Sequence, residues 1–340
     1  MNTNNINISF AINKAYVPYW SVCLASILAN MDEKDHLEVS VFSAEDIGEE
    51  NKRKIDLLQA RKPFSLKFCD IPSSLFKDIA KSSQKHITND TNFRFLMASL
   101  NPNLDKCIFL DADLVVVQNI RNLWDCDITG VYIAAVEDEA ATKPNSWAKK
   151  LPLPANYKYL NTGVSLCNLK KWREDNIEKK LFLNAQKHKN FLMFPDQDVL
   201  NITLCEKVKY LPPYFNAMPV QGYRNEEARK EAFSNPIIIH YAGIRKPWDV
   251  PSRPYADYFW KYAKLSPFYE ELLMKMINFH INQAQRVTIH KTIAKNTELK
   301  KYYLYKVLSK ITWGKTRRHY QQKRDSLHQQ VRQIREFLKK

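Results

Sequence analysis

The chain has 340 residues, 45% of them hydrophobic and 26% charged, and a formal net charge of +16. That length and apolar content suit one large α/β domain with an appendage, or two modest domains. No apolar run reaches the roughly 18 residues of a spanning helix, and the six cysteines lack CxxC spacing, so neither a membrane-crossing helix, a disulfide scaffold nor a zinc knuckle is expected.

Residues Met1–Ile8 show neither a basic stretch nor a small-residue cleavage site, so no secretory leader is expected. Ile6, Ile8, Phe10 and Ile12 alternate and predict a first strand that ends at Asn13. Val22, Leu24, Ala25, Ile27 and Leu28 follow at helical spacing. Leu37–Val41 alternates as a second strand, Glu49–Ala60 reads as a polar surface helix, and Leu66–Phe68 is a third strand. Phe93–Leu100 reads as helix and leads into the apolar run Cys107–Leu110, a buried strand. Tyr132–Val136 is the next strand and ends in Glu137-Asp138. Strands alternating with helices predict a parallel, doubly wound sheet, whose ligands gather at the C-terminal strand ends. Asn13, Asp111, Asp113 and Asp138 all fall at such ends. Further on, Asn161-Thr162-Gly163 precedes a strand-like run, and Asp196 is the expected N-cap of a helix. Asn235–His240 is a short buried strand that stops at a histidine. Trp20, Trp124, Trp172 and Trp260 sit among apolar periodic residues and read as core rather than as ligand platforms. Cys107 and Cys167 lie in apolar runs, as expected of reduced thiols in a cytosolic protein.

Two short motifs carry chemistry. Asp111-Ala112-Asp113 leaves the buried strand Cys107–Leu110 at its C-terminal end. In extended chain, residues i and i+2 point to one side, about 6 to 7 Å apart, a gap that one divalent cation can bridge. A carboxylate-held Mg²⁺ or Mn²⁺ completes its shell with substrate phosphates. The alternative is a strand end whose acidic turn residues satisfy backbone donors. The second motif is His240-Tyr-Ala-Gly243-Ile-Arg-Lys246-Pro-Trp248, in a chain with only six glycines. Glycine lets a backbone approach a ligand, lysine pairs with phosphate as a compact charge, and neutral imidazole suits Mn²⁺. A structural histidine is the alternative. Arg245 either binds an acceptor phosphate or is solvated.

Phe10-Ala11-Ile12-Asn13, Arg94, Asp111-Ala112-Asp113, Asn161-Thr162-Gly163, Asp196-Gln197-Asp198 and His240…Gly243…Lys246-Pro247-Trp248 stand in the order of glycosyltransferase family 8. The chain resembles that family over about residues 6–265, and most of all its bacterial lipopolysaccharide galactosyl- and glucosyltransferases. The resemblance implies a GT-A fold, a Rossmann-like mixed sheet flanked by helices. It also implies a UDP-hexose donor, Mn²⁺ dependence (Mg²⁺ in its place at need) and retention of anomeric configuration. By the same resemblance Asp111, Asp113 and His240 hold the metal, while Lys246 and the Gly243 backbone grip the diphosphate. Asn13 reads the uracil edge, with Ala11, Tyr16 and Ala112 beside the donor. Arg94, Asn161, Asp138 and Asp196 hold the sugar and its neighbouring phosphate. Gln197 lies near the anomeric carbon, and Gln197, Asp196 and Asp138 form the catalytic group. Retention by a side-chain nucleophile, Gln197 or Asp196, stays open beside front-face attack by the acceptor. Asn13 and Ala15 depart from the acidic and polar residues of close relatives. Lys85–Asp90 lies where relatives have a loop over the donor, with His86 facing acceptor or solvent. The expected acceptor is a lipopolysaccharide or lipooligosaccharide core, with a capsular or other surface glycan as the alternative. A donor-binding scaffold without turnover is the reading from a different class.

Residues 281–340 hold 16 Lys and Arg against 3 Asp and Glu, a net of +13, which leaves +3 for the rest. The sequence therefore divides into a catalytic domain, 1–265, and a basic helical extension, 266–340. Tyr302, Tyr303, Tyr305, Trp313 and Tyr320 are interleaved with cations there, the composition of an interfacial anchor on an anionic membrane. Nucleic acid binding and a plain solvated helix are the alternatives; no nucleic-acid motif is present, so nucleic acid is not an expected partner. Leu327, Val331, Ile334 and Leu338 form a stripe that could pair with a second tail. Together these features place the protein in the cytoplasm, peripheral on the inner face of the inner membrane.

Overall fold

The computed structural model describes residues 4–76, 89–220, 222–280, 297–311, 314–328 and 332. Two compact units divide the chain, Met1–Leu273 and Met274–Lys340.

The first unit is built on a seven-stranded sheet in the order β3-β2-β1-β4-β7-β6-β8. The strands are β1 (Asn5–Ala11), β2 (His36–Ser43), β3 (Phe64–Asp70), β4 (Cys107–Leu110), β6 (Ile133–Glu137), β7 (Leu160–Cys167) and β8 (Val208–Leu211). β5 (Leu114–Val116) and β9 (Ile238–His240) form a separate antiparallel pair. All pairings in the large sheet are parallel except those of β7, which runs against β4 and β6. The fold is mixed α/β. β4 and β7 are buried at every position; β4 is an unbroken apolar run, whereas β7 carries the polar Asn161 and Thr162 near its start before it becomes mostly apolar. One core fills the face under the helix Val17–Asn30, with Trp20 at its centre. A second fills the opposite face around Phe95, Phe109 and Trp172. Trp124 and Trp260 also pack against the first core, Trp260 only partly buried.

Four local expectations are corrected. Phe93–Leu100 is split between a 3-10 segment, Asn89–Leu96, and one α-turn, Met97–Leu100. The surface helix stops at Asp56 and closes with a 3-10 turn, Leu57–Ala60. Asp196 is not an N-cap: Phe194 caps the helix Pro195–Leu204, and proline takes the first helical position, where its missing N–H has no intrahelical partner to lose. The strand that follows the Asn-Thr-Gly motif also begins earlier than expected, at Leu160, so the motif lies inside it.

In the second unit, the helices Thr297–Ile311 and Gly314–Ser326 face each other. Tyr305 stacks on Tyr320 at 6.1 Å, and Tyr302 meets His328 at the same centroid distance. These pairs make the helices antiparallel. The aromatics are thus turned partly inward, whereas Lys315, Arg317 and Arg318 are exposed. Lys85–Thr88, including His86, and Trp313, Val331, Ile334 and Leu338 lie outside the described residues.

Candidate active site

The reversed strand builds the site. Because β7 runs against its neighbours, its N-terminal end lies beside the C-terminal ends of β4 and β6. The pairing of β6 with β7 also jumps register between Ala135 and Val136, from Ser165 to Asn161. This irregularity takes Thr162 and Gly163 off the β6 ladder and turns them to the site, a common use of a bulge. Gly163 O accepts from Asp111 N at 2.8 Å, and Thr162 N donates to Gln197 Oε1 at 3.1 Å. The Asp-x-Asp and Asn-Thr-Gly segments are therefore pinned by a main-chain bond, and Asp-Gln-Asp is tied to them through the Gln197 side chain.

Above them lies a cavity of about 560 Å³, in the range of small-ligand sites. Every residue named from the sequence as a site residue lines it: Ala11, Asn13 and Tyr16 after β1, Arg94, Asp111–Asp113 after β4, Asp138 after β6, Asn161 on β7, Asp196 and Gln197, and His240, Gly243 and Lys246. Thr91, Trp147, Phe194, Arg245 and Arg253 line it as well.

Asp111, Asp113 and His240 each offer one ligand atom, all within 4.8 Å of one another. His240 Nε2 lies 3.3 Å from Asp113 and 3.7 Å from Asp111. β9 delivers the histidine, through the Leu114–His240 register and the bond from Tyr241 N to Asp113 O at 2.9 Å. A β-carbon on Gly163 would strike the His240 ring and Asp111, so only glycine leaves room for the cluster. Two carboxylate oxygens and one imidazole nitrogen suit a divalent ion such as Mn²⁺. The residues present therefore fit a metal.

Around this cluster the charges are arranged unequally. Burial alone would raise the Asp113 carboxyl, but the Lys246 ammonium overcomes it and holds it well below the usual range. Lys246 pairs with Asp113 and donates to Tyr241 O at 2.9 Å, leaving a third ammonium N–H for the cavity. The segment carrying it is anchored by Trp248, which stacks on Tyr19 at 4.0 Å and meets Tyr16 edge-on. Gly243 takes φ +88°, open to glycine without strain. Burial raises Asp138 against the bonds from Asn161 and Ala141. It also raises Asp196, where Arg94 opposes and the Asp111 charge adds.

Arg94 lines the cavity and is held by the site's own side chains. It is 3% exposed, donates to Thr91 O, to Thr162 O and Oγ1 and to Asp111, and pairs with Asp196 at 3.2 Å. It lies over the Phe109 ring at 4.2 Å. A guanidinium so engaged holds the two carboxylates together at the edge of the cavity. Asp198 is wholly buried and accepts from Trp147, Tyr159, Met193 and Phe194, so it braces the helix start. Asn13 accepts from Tyr16 N at 3.2 Å through its side-chain oxygen. One residue that the sequence reading missed is Asn216, which accepts from His240 Nδ1 at 3.0 Å. It follows a 3-10 turn, Pro213–Phe215, and no motif marks it.

The sequence model of Glycosyl transferase family 8 matches residues 7–250. A putative glycosyltransferase of Haemophilus influenzae is 30% identical over 247 residues, 72% of this chain and 74% of its own length. A lipopolysaccharide 1,2-glucosyltransferase of Escherichia coli is 27% identical over 283 residues, 81% of this chain and 82% of its own. Among solved structures, the galactosyltransferase LgtC in complex with donor and acceptor sugar analogues superposes with a TM-score of 0.67 at 25% identity, over 77% of this chain and 96% of that one.

Proposed function

The chain belongs to glycosyl transferase family 8, and from that premise we propose that it moves galactose or glucose from a UDP-sugar to a saccharide acceptor with retention of configuration. The observation that carries this reading is the meeting of Asp111, Asp113 and His240 within 4.8 Å, in one cavity with Lys246. The relatives' names support a lipopolysaccharide acceptor, and in this reading the acceptor is its core or that of a lipooligosaccharide. Residues 1–265 form the catalytic domain in this reading. Residues 266–340 attach it to the cytoplasmic face of the inner membrane.

Asp111, Asp113 and His240 would hold Mn²⁺, or Mg²⁺ in its place. The ion supplies positive charge beside the donor diphosphate, where negative charge grows as the sugar leaves. Lys246 adds its remaining N–H to the same phosphate, and the Gly243 backbone lets the phosphate approach closely. Asn13 offers a carbonyl oxygen to the uracil N–H, with Ala11, Tyr16 and Ala112 shaping that end. Asp138 and Asp196 accept sugar hydroxyls, and Asn161, whose oxygen is already taken by Gly163 N and Asn216, offers its second amide N–H to one. Arg94 keeps Asp111 and Asp196 in place. Gln197 lies against the sugar, where its amide oxygen favours an oxocarbenium-like carbon. Its amide is a weak nucleophile, so the acceptor hydroxyl attacks on the leaving-group side. The bond from the anomeric carbon to the phosphate oxygen breaks, the bond to the acceptor oxygen forms, and the acceptor proton passes to the departing phosphate.

The test is UDP release from a panel of UDP-sugars, with Mn²⁺ and then with EDTA, alongside Asp113→Asn. Metal-dependent turnover of one sugar, lost in the variant, is the expected result. UDP binding without turnover, even with a lipid-linked acceptor added, would replace the transferase with a donor-binding scaffold. A sugar trapped covalently on Asp196 or Gln197 would replace front-face attack with a double displacement.

A further inference from the structure

Beneath the three ligand residues runs a buried chain of side-chain hydrogen bonds. His240 Nδ1 meets Asn216 Oδ1 at 3.0 Å, Asn216 Nδ2 donates to Asn161 Oδ1 at 2.9 Å, and Asn161 Nδ2 donates to Asp138 Oδ2 at 3.4 Å. Asn216 and His240 are 0% and 2% exposed, and Asn161 and Asp138 6% and 5%.

The direction of this chain is fixed by one main-chain group. Gly163 N donates to Asn161 Oδ1 at 3.2 Å. A backbone N–H can only donate, so the oxygen of Asn161 must stand there. Asn216 must then present its NH₂ to that oxygen and its carbonyl to His240. An acceptor facing Nδ1 requires the proton on Nδ1. In the neutral imidazole Nε2 is left with its lone pair, aimed between Asp111 and Asp113. The far end agrees, since the Asp138 carboxylate can only receive the NH₂ of Asn161. Asn216 is itself held by the backbone on either side: its N–H bonds Pro213 O at 3.1 Å, and the next residue, Ala217, exchanges bonds with Ile238 and His240 at 2.9 and 2.8 Å.

We propose that Asn216 is the positioning residue of the metal site: through its carbonyl it sets the Nδ1–H tautomer and the ring orientation of His240, and through Asn161 it ties the metal ligand to Asp138 on the sugar side. This rests on the metal reading above, and a partner behind a ligating histidine is commonly worth 10–100-fold in metal affinity.

The test uses the full chain and Mn²⁺ alone, with no nucleotide sugar, so no turnover enters the readout. Mn²⁺ binding is followed by the loss of the free-ion electron paramagnetic resonance signal, for the wild type, Asn216→Leu, Asn216→Asp and Asp113→Asn. The expected result is binding roughly 10–100-fold weaker in Asn216→Leu. Only partial recovery is expected in Asn216→Asp, which keeps an acceptor on Nδ1 but sets a second oxygen against Asn161 Oδ1. Wild-type affinity in Asn216→Leu would overturn the role of Asn216. No Mn²⁺ binding by the wild type itself would overturn the metal reading, and the inference with it. Should Asn216→Leu fail to fold, ¹⁵N-histidine spectra of the metal-free wild type at alkaline pH decide the matter. A protonated Nδ1 on His240, assigned by its absence from His240→Gln, supports the proposal, and a protonated Nε2 with bare Nδ1 sinks it.

Discussion

A side chain as small as alanine at position 163 would collide with the His240 ring and stand 2.5 Å from Asp111 Oδ2. Backbone, histidine and carboxylate cannot all keep their places, so Gly163→Ala should displace the cluster by a fraction of a bond length or more. Misplacements on the scale of 1 Å cost about 10²-fold in rate, and metal-dependent turnover should fall by that order; an unchanged Mn²⁺ titration would refute the steric argument. Arg94 gives a second prediction at this scale. Its removal in Arg94→Met leaves Asp111 and Asp196 without their shared partner, which should cost about 3–5 kcal/mol of stability. Urea unfolding of the two proteins measures it, and a loss below that range would mean the carboxylates find other donors. The Asp-x-Asp and the histidine block were legible in the sequence because each pairs chemistry with a short spacing. Asn216 was not, since a lone asparagine after a turn has no period or partner to announce it. Arg94 was legible as a site residue but its contacts were not, since they draw on Thr91 nearby and on three distant segments at Asp111, Thr162 and Asp196.

At the scale of elements, the alternation of strands and helices revealed the layered α/β architecture, because each buried strand is a short apolar run between polar segments. It did not reveal that β7 is reversed. A fully buried strand reads the same in either direction, and only its neighbours in the sheet decide its sense. That reversal is what brings a motif from the start of one strand to the ends of the others. The helix Pro195–Leu204 carries the opposite lesson: its start was visible, but the proline, not Asp196, opens it. Asp198 holds this helix start, and burial raises its carboxyl above the ordinary 3.8 despite the bonds it accepts. An acid with a raised pKa binds its proton more tightly folded than unfolded. Its contribution to stability is therefore complete below the unfolded value and is lost as pH rises through the folded one. Asp198→Asn cannot ionise, so its stability should change less than the wild type's from pH about 4 towards neutrality. Unfolding midpoints at the two pH values test this, and parallel losses in both proteins would assign the pH dependence to other groups.

Over the whole molecule the charge is segregated, with +13 on residues 281–340 and +3 on the rest. That partition was fully legible in the sequence. The placement of the tyrosines was not, because helical spacing does not show that Tyr305 and Tyr320 stack on each other. An aromatic belt is therefore a weaker ground for membrane attachment than the exposed cations Lys315, Arg317 and Arg318, with Leu304 and Val307 also 54% and 55% exposed. If attachment is electrostatic, each cation near an anionic bilayer contributes about 1 kcal/mol. Replacing Lys315, Arg317 and Arg318 by glutamine should then weaken binding to phosphatidylserine vesicles by roughly 10²-fold. Turnover of a soluble donor and a short saccharide acceptor should be unchanged, because none of the three lines the cavity. Raising the salt should release the wild type as well, since a Debye length of about 8 Å at physiological ionic strength shortens further. Equal binding to neutral and anionic vesicles would remove the electrostatic anchor, and preferential binding to duplex DNA under the same salt would give the basic extension a different partner.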